Sequence, residues 1–288
     1  MEVMLVTGVN GFLGSRIKEH FKDRYQIVAP AHAEMDITNF EEVMQYFERY
    51  EPQKVIHCAA VSDVGQCTRE PEKSFTINVT GTENIAKACA DHHTKLVFCS
   101  SDQIYFGSRE NNAHKESERV TPQNVYGRQK LEAEQRMLQN CPDAVALRLS
   151  WMYDTVSNAK WEHGDFLRNL ASILQRGERA SFPCYDYRGI TYVGDALRNL
   201  SQVFELPGGI YNYGSENQMN TYEMVVAFFK AIGIPEERVK VNEQAFADNP
   251  RNISMNIDKI RSHGIIFPNT LEALITCMTD SGLVLSAF

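Results

Sequence analysis

Tyr126 and Lys130 stand four residues apart in Tyr126-Gly127-Arg128-Gln129-Lys130. On a helix this spacing stacks two side chains on one face, about 5–6 Å apart at Cβ. An ammonium beside a phenol favours the phenolate, so it lowers a pKa that is ordinarily about 10. A tyrosine tuned in this way can exchange protons near neutral pH. The same pair also occurs on ordinary exposed helix faces, so its meaning depends on what surrounds it.

Ser100-Ser101-Asp102 closes the apolar run LVFC upstream of Tyr126. A hydroxyl at the C-terminal end of a strand points into the crevice where open α/β sheets bind ligands. Ser101 could hold a carbonyl there and stabilise the oxyanion that develops on it. Asp102 follows and would lie on the substrate side.

A third pattern names what sits beside these groups. Gly8, Gly11 and Gly14 separate the run MLVT from SRIKEHF. Glycine adopts positive φ at little cost and lets a ligand approach the backbone. A helix N-terminus adds unpaired N–H groups and a partial positive charge. Together they make a pyrophosphate cradle, so the segment Gly8–Gly14, with Asn10, Phe12 and Leu13 between its glycines, predicts a dinucleotide site. Lys130 could then also hold the ribose next to a nicotinamide.

The elements that must position these residues alternate regularly. Short runs dense in Val, Ile and Leu occur at 4–8, 25–30, 54–60, 95–101 and 144–151. They do not alternate with polar residues, which fits strands covered on both faces. Helical patterns fall between them at 14–24, 39–50, 80–93 and 124–138. This order predicts an α/β fold with a doubly wound parallel sheet of the Rossmann type. Residues 1–150 would form the cofactor domain and 151–288 a smaller α+β substrate domain, with 187–205 returning to the first. Helices are expected at 165–177, 221–234 and 271–278, and a strand and helix within 191–205.

Composition bounds the rest. The chain has 288 residues and a net charge of −8, with a pI near 5.5. That balance argues against a nucleic-acid surface. Seven cysteines, an odd number without a C-x-x-C pair, fit free thiols in a reducing, cytoplasmic setting. No stretch approaches the roughly 20 apolar residues of a membrane span. His92 and His93 are adjacent and cannot share one metal on a helix, so no metal is expected.

Thr7-Gly8-Val9-Asn10-Gly11-Phe12-Leu13-Gly14 resembles the T-G-x-x-G-x-x-G turn of the extended short-chain dehydrogenase/reductase family. His57-Cys58-Ala59-Ala60, Ile77-Asn78-Val79-Thr80-Gly81-Thr82, Ser101 and Tyr126-x-x-x-Lys130 match that family's further motifs in order. The resemblance implies that Cys58, Ala59 and Ala60 line the cofactor. It implies that Asp36 and Ile37 meet the adenine, and that Asn78 supports the active-site helix and a proton-relay water. His32 stands where NADPH-using relatives often carry Arg, and no acid ends the second strand; NADPH is therefore expected, with NADH as the alternative.

Within the family, Asn124 to Leu131, Leu149 to Tyr153, Glu34 to Thr38 and Pro250-Arg251-Asn252 resemble the dTDP-4-dehydrorhamnose reductase group. The resemblance implies a reductase of nucleotide-linked 4-keto-6-deoxysugars, with Trp151 against the substrate. A homodimer is compatible with it. The segment Asp186-Tyr187-Arg188-Gly189-Ile190-Thr191 departs from that group's D-Q-x-G-x-P-T. Arg188 there looks more like sugar-nucleotide epimerases, or like the non-catalytic regulatory β subunit of methionine adenosyltransferase. An epimerase or dehydratase and an NADP-binding regulatory subunit are thus the alternatives, and Arg188 is expected at the substrate.

Overall fold

The structure is a computed structural model that describes residues 1–155 and 165–281. The five apolar runs become strands β1 (Val3–Thr7), β2 (Gln26–Val28), β3 (Lys54–His57), β4 (Lys95–Ser101) and β5 (Val145–Leu149). They pair in parallel in the order β2-β1-β3-β4-β5. Between them lie α1 (Phe12–Phe21), α2 (Phe40–Tyr50), α3 (Val64–Arg69), α4 (Pro71–Phe75), α5 (Gly81–Asp91) and α6 (Val125–Asn140). The fold is the doubly wound α/β architecture.

Burial explains the lack of alternation in the strand sequences. Met4, Val6, Ile56 and Val97 face one core together with Ile17 and Phe21 of α1. Leu5, Val55, Leu96 and Phe98 face the other, against Val43 and Phe47 of α2 and Ile85 of α5. Both faces of the sheet are covered, so both sets of side chains must be apolar.

The second half of the chain adds β6 (Trp151–Tyr153), α7 (Phe166–Gln175), β7 (Ala180–Pro183), β8 (Asp186–Tyr187), β9 (Ile190–Tyr192) and α8 (Val193–Val203). Next come β10 (Gly209–Tyr213), α9 (Thr221–Ala231), β11 (Val239–Asn242), β12 (Arg251–Asn252), α10 (Asp258–Arg261) and α11 (Thr270–Ser281). Strand pairs β6–β9, β7–β11 and β8–β12 are parallel two-stranded sheets. Tyr153, Phe166, Leu170, Val225, Phe228 and Leu274 form a separate core there. Val193, Ala196, Leu200 and Val203 of α8 pack instead into the first core, with Ile17 and Phe21.

Several elements went unread in the sequence, among them β7, β8, β10, β11, β12, α3, α4 and α10. β10 pairs with β5 as the sixth strand of the main sheet. Pro207-Gly208-Gly209 in front of it reads as a turn and hides it. Residues 64–80 hold α3, α4 and a π turn, Thr76–Thr80, that leads into α5.

Candidate active site

The chain leaves β1 toward β2 on one side and returns as β3 on the other. Ligands bind outside the strand ends at such a reversal. A cavity of about 550 Å³ opens there.

The glycine turn forms one wall. Gly8 has φ +72°, and a Cβ on it would lie 2.7 Å from the backbone N of Ala59. A Cβ on Gly14 would lie 2.3 Å from the carbonyl oxygen of Gly8. Only glycine lets α1, β1 and β3 meet this closely. Gly11 caps α1 without a side-chain hydrogen bond, so the first N–H groups of that helix remain available to an anion. Gly8, Asn10, Gly11, Phe12, Leu13 and Gly14 all line the cavity. The cradle fits a pyrophosphate.

At one end the wall is built by His32, Asp36 and Ile37. Asp36 is not a helix cap; Asn39 caps α2 through the N–H groups of Glu41 and Glu42. Asp36 instead accepts from the N–H and hydroxyl of Thr38 at 2.9 and 2.8 Å. Burial opposes its charge, but those two bonds and nearby His32 hold its carboxyl below the ordinary range. Cys58, Ala59 and Ala60 line the floor behind β3. The sulfurs of Cys58 and Cys99 lie 3.4 Å apart. The Cys99 contact and burial push the Cys58 thiol up, which disfavours the thiolate that a nucleophile needs.

At the other end stand Tyr126 and Lys130. Asn124 caps α6 by accepting from the N–H of Gly127 at 2.6 Å, and its amide donates to Gln103 at 3.0 Å. This fixes Tyr126 in the first turn of α6. The tuning expected from sequence is reversed. Lys130 Nζ donates to the carbonyl of Cys99 at 2.8 Å and lies 5.8 Å from the centre of the Tyr126 ring. Burial dominates at Tyr126 and raises its phenol above the ordinary value, while a hydrogen bond with Ser101 pulls the other way. Tyr126 is therefore a protonated phenol at neutral pH. Burial also pushes Lys130 down to about 8.

Ser101 does not line the cavity itself; it joins it through Tyr126. Its hydroxyl accepts from the N–H of Gln103 at 3.2 Å and reaches Asp102 at 3.4 Å. Asp102 in turn accepts from Arg188 Nη2 at 3.3 Å, and Arg188 lies over the Trp151 ring at 5.2 Å. Asp102, Arg188 and Trp151 thus form one group. Trp151 is 36% exposed, and Arg188 Nε has no hydrogen-bond partner among the described residues.

Asn78 braces α6 from behind the cavity wall. It is fully buried in the π turn. Its amide donates to Val61 O at 3.0 Å and Gln129 Oε1 at 2.9 Å, and its oxygen accepts from Val61 N at 2.8 Å. It ties the cavity wall at Val61 to α6 and does not line the cavity.

Sequence reading missed a polar layer beneath the site. His57 is fully buried between Thr7 Oγ1 at 2.7 Å and Thr82 Oγ1 at 3.1 Å. Burial, with Lys130 nearby, pushes it down to about 3, so it is neutral. Ser100, on the cavity wall, donates to buried Glu134 at 2.6 Å. A visible signal existed: Glu134 follows Lys130 by one further helical interval. Among the described residues no group of three or more His, Cys, Asp or Glu side chains could hold a metal ion. No described helix is long and apolar enough to cross a membrane.

The model of the RmlD substrate binding domain family matches residues 1–282. The chain belongs to this family. Among RmlD relatives, the dTDP-4-dehydrorhamnose reductase of Aggregatibacter actinomycetemcomitans is 27% identical over 91% of this chain and 92% of its own length. The methionine adenosyltransferase 2 subunit beta of Danio rerio is 25% identical, covering 93% of this chain and 86% of that protein. In structure, the dTDP-4-dehydrorhamnose reductase of Bacillus anthracis, solved in complex with NADP, superposes with a TM-score of 0.85 at 23% identity. That alignment covers 97% of this chain and 99% of the other.

Proposed function

We propose that this RmlD-family chain is a reductase of nucleotide-linked 4-keto-6-deoxysugars, using NADPH, with NADH as the alternative. The observation that carries the reading is the placement of buried Tyr126 and Lys130 on the wall of the same cavity as the glycine turn. The relatives named as dTDP-4-dehydrorhamnose reductases, one of them solved with NADP, support it.

Residues Gly8 to Gly14 would hold the pyrophosphate, Asp36 and Ile37 the adenine end, and Lys130 the ribose next to the nicotinamide. When bound, the nicotinamide supplies the hydride. Ser101 donates a hydrogen bond to the C4 carbonyl oxygen of the sugar, and this bond strengthens as charge develops there. Tyr126 gives its proton to the forming alkoxide. A phenol carries its proton at neutral pH, which this direction of transfer requires. Trp151 offers a flat apolar face to the sugar nucleotide. Arg188 Nε offers a donor that lacks an acceptor, and a ligand oxygen would satisfy it.

A second reading is a regulatory subunit that binds NADP and a partner protein without turnover. The resemblance to methionine adenosyltransferase 2 subunit beta favours it. Oxidation of NADPH and of NADH, followed by absorbance over a panel of dTDP-, UDP- and GDP-linked 4-keto-6-deoxysugars, separates the two. The reductase reading expects stoichiometric cofactor consumption with at least one sugar. Tight NADPH binding with no consumption on any sugar overturns it.

A further inference from the structure

Arg16 lies on α1 one turn after Phe12, and its side chain is only 3% exposed. Its guanidinium sits over the Phe12 ring, 3.9 Å from the centroid, and Nη1 donates to the Phe12 carbonyl at 2.7 Å. A cation seated on a ring face in this way holds the ring in place. Nε donates to Asp154 Oδ2 at 2.6 Å, across 138 residues of chain.

Asp154 follows β6, the strand that carries Trp151 and Met152. It is fixed there by its own neighbours. Its Oδ1 accepts from the N–H of Thr155 at 2.8 Å, and its N–H donates to Asp165 Oδ2 at 3.3 Å. Asp165 is the N-cap of α7. The carboxylate therefore belongs to the second half of the chain, and the guanidinium to the helix of the glycine turn. A buried ion pair is weak evidence for stability, since desolvating both charges offsets their attraction. The place of this one gives it a different use.

Phe12, Leu13, Leu149 and Met152 all line the cavity, and all four belong to or pack against the first core. Leu149 pairs with Ser101 in the register of β4 and β5. Three strands, β1, β3 and β4, separate β5 from β2, and His32 and Asp36 follow β2. The wall continued by β5 and β6 is thus at the Tyr126 end of the cavity, where the nicotinamide would lie. Arg16 and Asp154 do not line the cavity. They join the first turn of α1 to β6 from behind that wall.

We propose that Asp154 is a positioning residue for the dinucleotide: through Arg16 it clamps the Phe12 ring and the first turn of α1 against β6, and so shapes the nicotinamide half of the seat. The inference deepens the NADPH seat proposed above and rests on it, but not on the reduction of a sugar. It gives the strand that carries Trp151 a hold on the cofactor site.

The test is Asp154→Ala in the full chain, with Kd measured by titration calorimetry for two ligands. One is NADPH; the other is adenosine 2′,5′-bisphosphate, which lacks the nicotinamide half. The NADPH Kd should rise about tenfold, equivalent to 1.4 kcal/mol. The Kd of the fragment should stay at its wild-type value. Asp154→Asn, whose amide oxygen can still accept from Arg16 Nε, should restore most of the NADPH affinity. A pair that only stabilises the fold would lower the denaturation midpoint and leave both Kd values alone in folded protein, and that result overturns the proposal. An equal rise for both ligands overturns it too, because the effect would not lie in the nicotinamide half. Should Asp154→Ala fail to fold, Arg16→Met with Asp154→Leu removes both charges at once, a change that interiors often tolerate. Wild-type NADPH affinity in that double variant sinks the idea. Weakened NADPH in Asp154→Ala, with an intact fragment site and a wild type that reduces no sugar, keeps the clamp and dismisses the reductase reading.

Discussion

Arg188 reaches back to Asp102, donating from Nη2 at 3.3 Å, while its guanidinium lies 5.2 Å from the centre of the Trp151 ring. Asp102 is the neighbour of Ser101, whose hydroxyl reaches Asp102 at 3.4 Å and lowers the Tyr126 phenol against the effect of burial. The proposed substrate-side group and the proposed proton donor are therefore joined through one peptide unit. A change at the guanidinium can be felt at the phenol without any contact between them.

Asp102→Asn tests this link. It removes the charge partner of an arginine side chain that is only 14% exposed. Breaking a buried pair in this way costs about 3 kcal/mol of stability, seen as a lowered midpoint in chemical denaturation. The KM for the sugar nucleotide is expected to rise about tenfold, equivalent to 1.4 kcal/mol. The Kd for NADPH should stay as in wild type, because Asp102 does not line the cofactor cavity. A variant that loses NADPH affinity and keeps its sugar KM would contradict the assignment.

The glycine turn makes a sharper contrast between neighbours. A Cβ on Gly14 would sit 2.3 Å from the Gly8 carbonyl oxygen and 2.8 Å from its carbon. Both are backbone atoms and cannot swing aside. Gly14→Ala is expected to cost about 2 kcal/mol through overpacking, and to weaken NADPH at least tenfold by opening the cradle. Gly11 has φ −87° and meets its nearest atom at 3.3 Å. Gly11→Ala should change stability by less than about 1 kcal/mol. Equal tolerance at the two sites in thermal melts would show that the turn has another shape.

Gly8 and Gly14 were legible because a Cβ does not fit their surroundings, and so the letter itself carries the geometry. The sheet was legible for a related reason: Val, Ile and Leu on both faces of β1, β3 and β4 leave no other way to be buried. The Arg188–Asp102 pair was not readable as a contact, because 86 residues separate its members. The partner of Lys130 was unreadable in a different way. It is the carbonyl of Cys99, a group every residue carries and no letter marks. Asn78 bonds Gln129 of α6, in keeping with the supporting role the resemblance implies. The π turn that holds it, Thr76–Thr80, follows from packing against α6 rather than from any local signal. Tyr126 shows the limit of pairwise reasoning: spacing predicts help from Lys130, while burial, which needs the whole fold, decides the sign.

Lys130 gives opposite pH trends for two measurements. Burial pushes it down to about 8 in the folded protein, against an ordinary value of 10.5. Between those two pH values the unfolded chain binds this proton and the folded chain does not. Stability from this group therefore rises with pH across the window, by up to about 3 kcal/mol. Cofactor affinity should move the other way, weakening above about pH 8 as the ammonium is lost. Both trends should vanish in Lys130→Met, measured as the difference from wild type in denaturant midpoints and in NADPH titrations. An NADPH affinity that holds constant through the alkaline range would remove Lys130 from the binding role.

Tyr126→Phe separates chemistry from binding. The hydroxyl is the proton donor of the proposed reaction, and its loss should lower turnover by about 10²–10⁴-fold. The ring stays in place, still buried and packed in the first turn of α6. Stability should then change by about 1 kcal/mol, the worth of one hydrogen bond to Ser101. NADPH affinity should be close to wild type, since the glycine cradle and Lys130 are untouched. A regulatory subunit predicts a different pattern: no sugar reduction by wild type, and the same NADPH binding and partner effect in both forms. If wild type reduces a sugar and Tyr126→Phe does so equally fast, another group delivers the proton. The buried phenol would then serve only to close the end of the cavity.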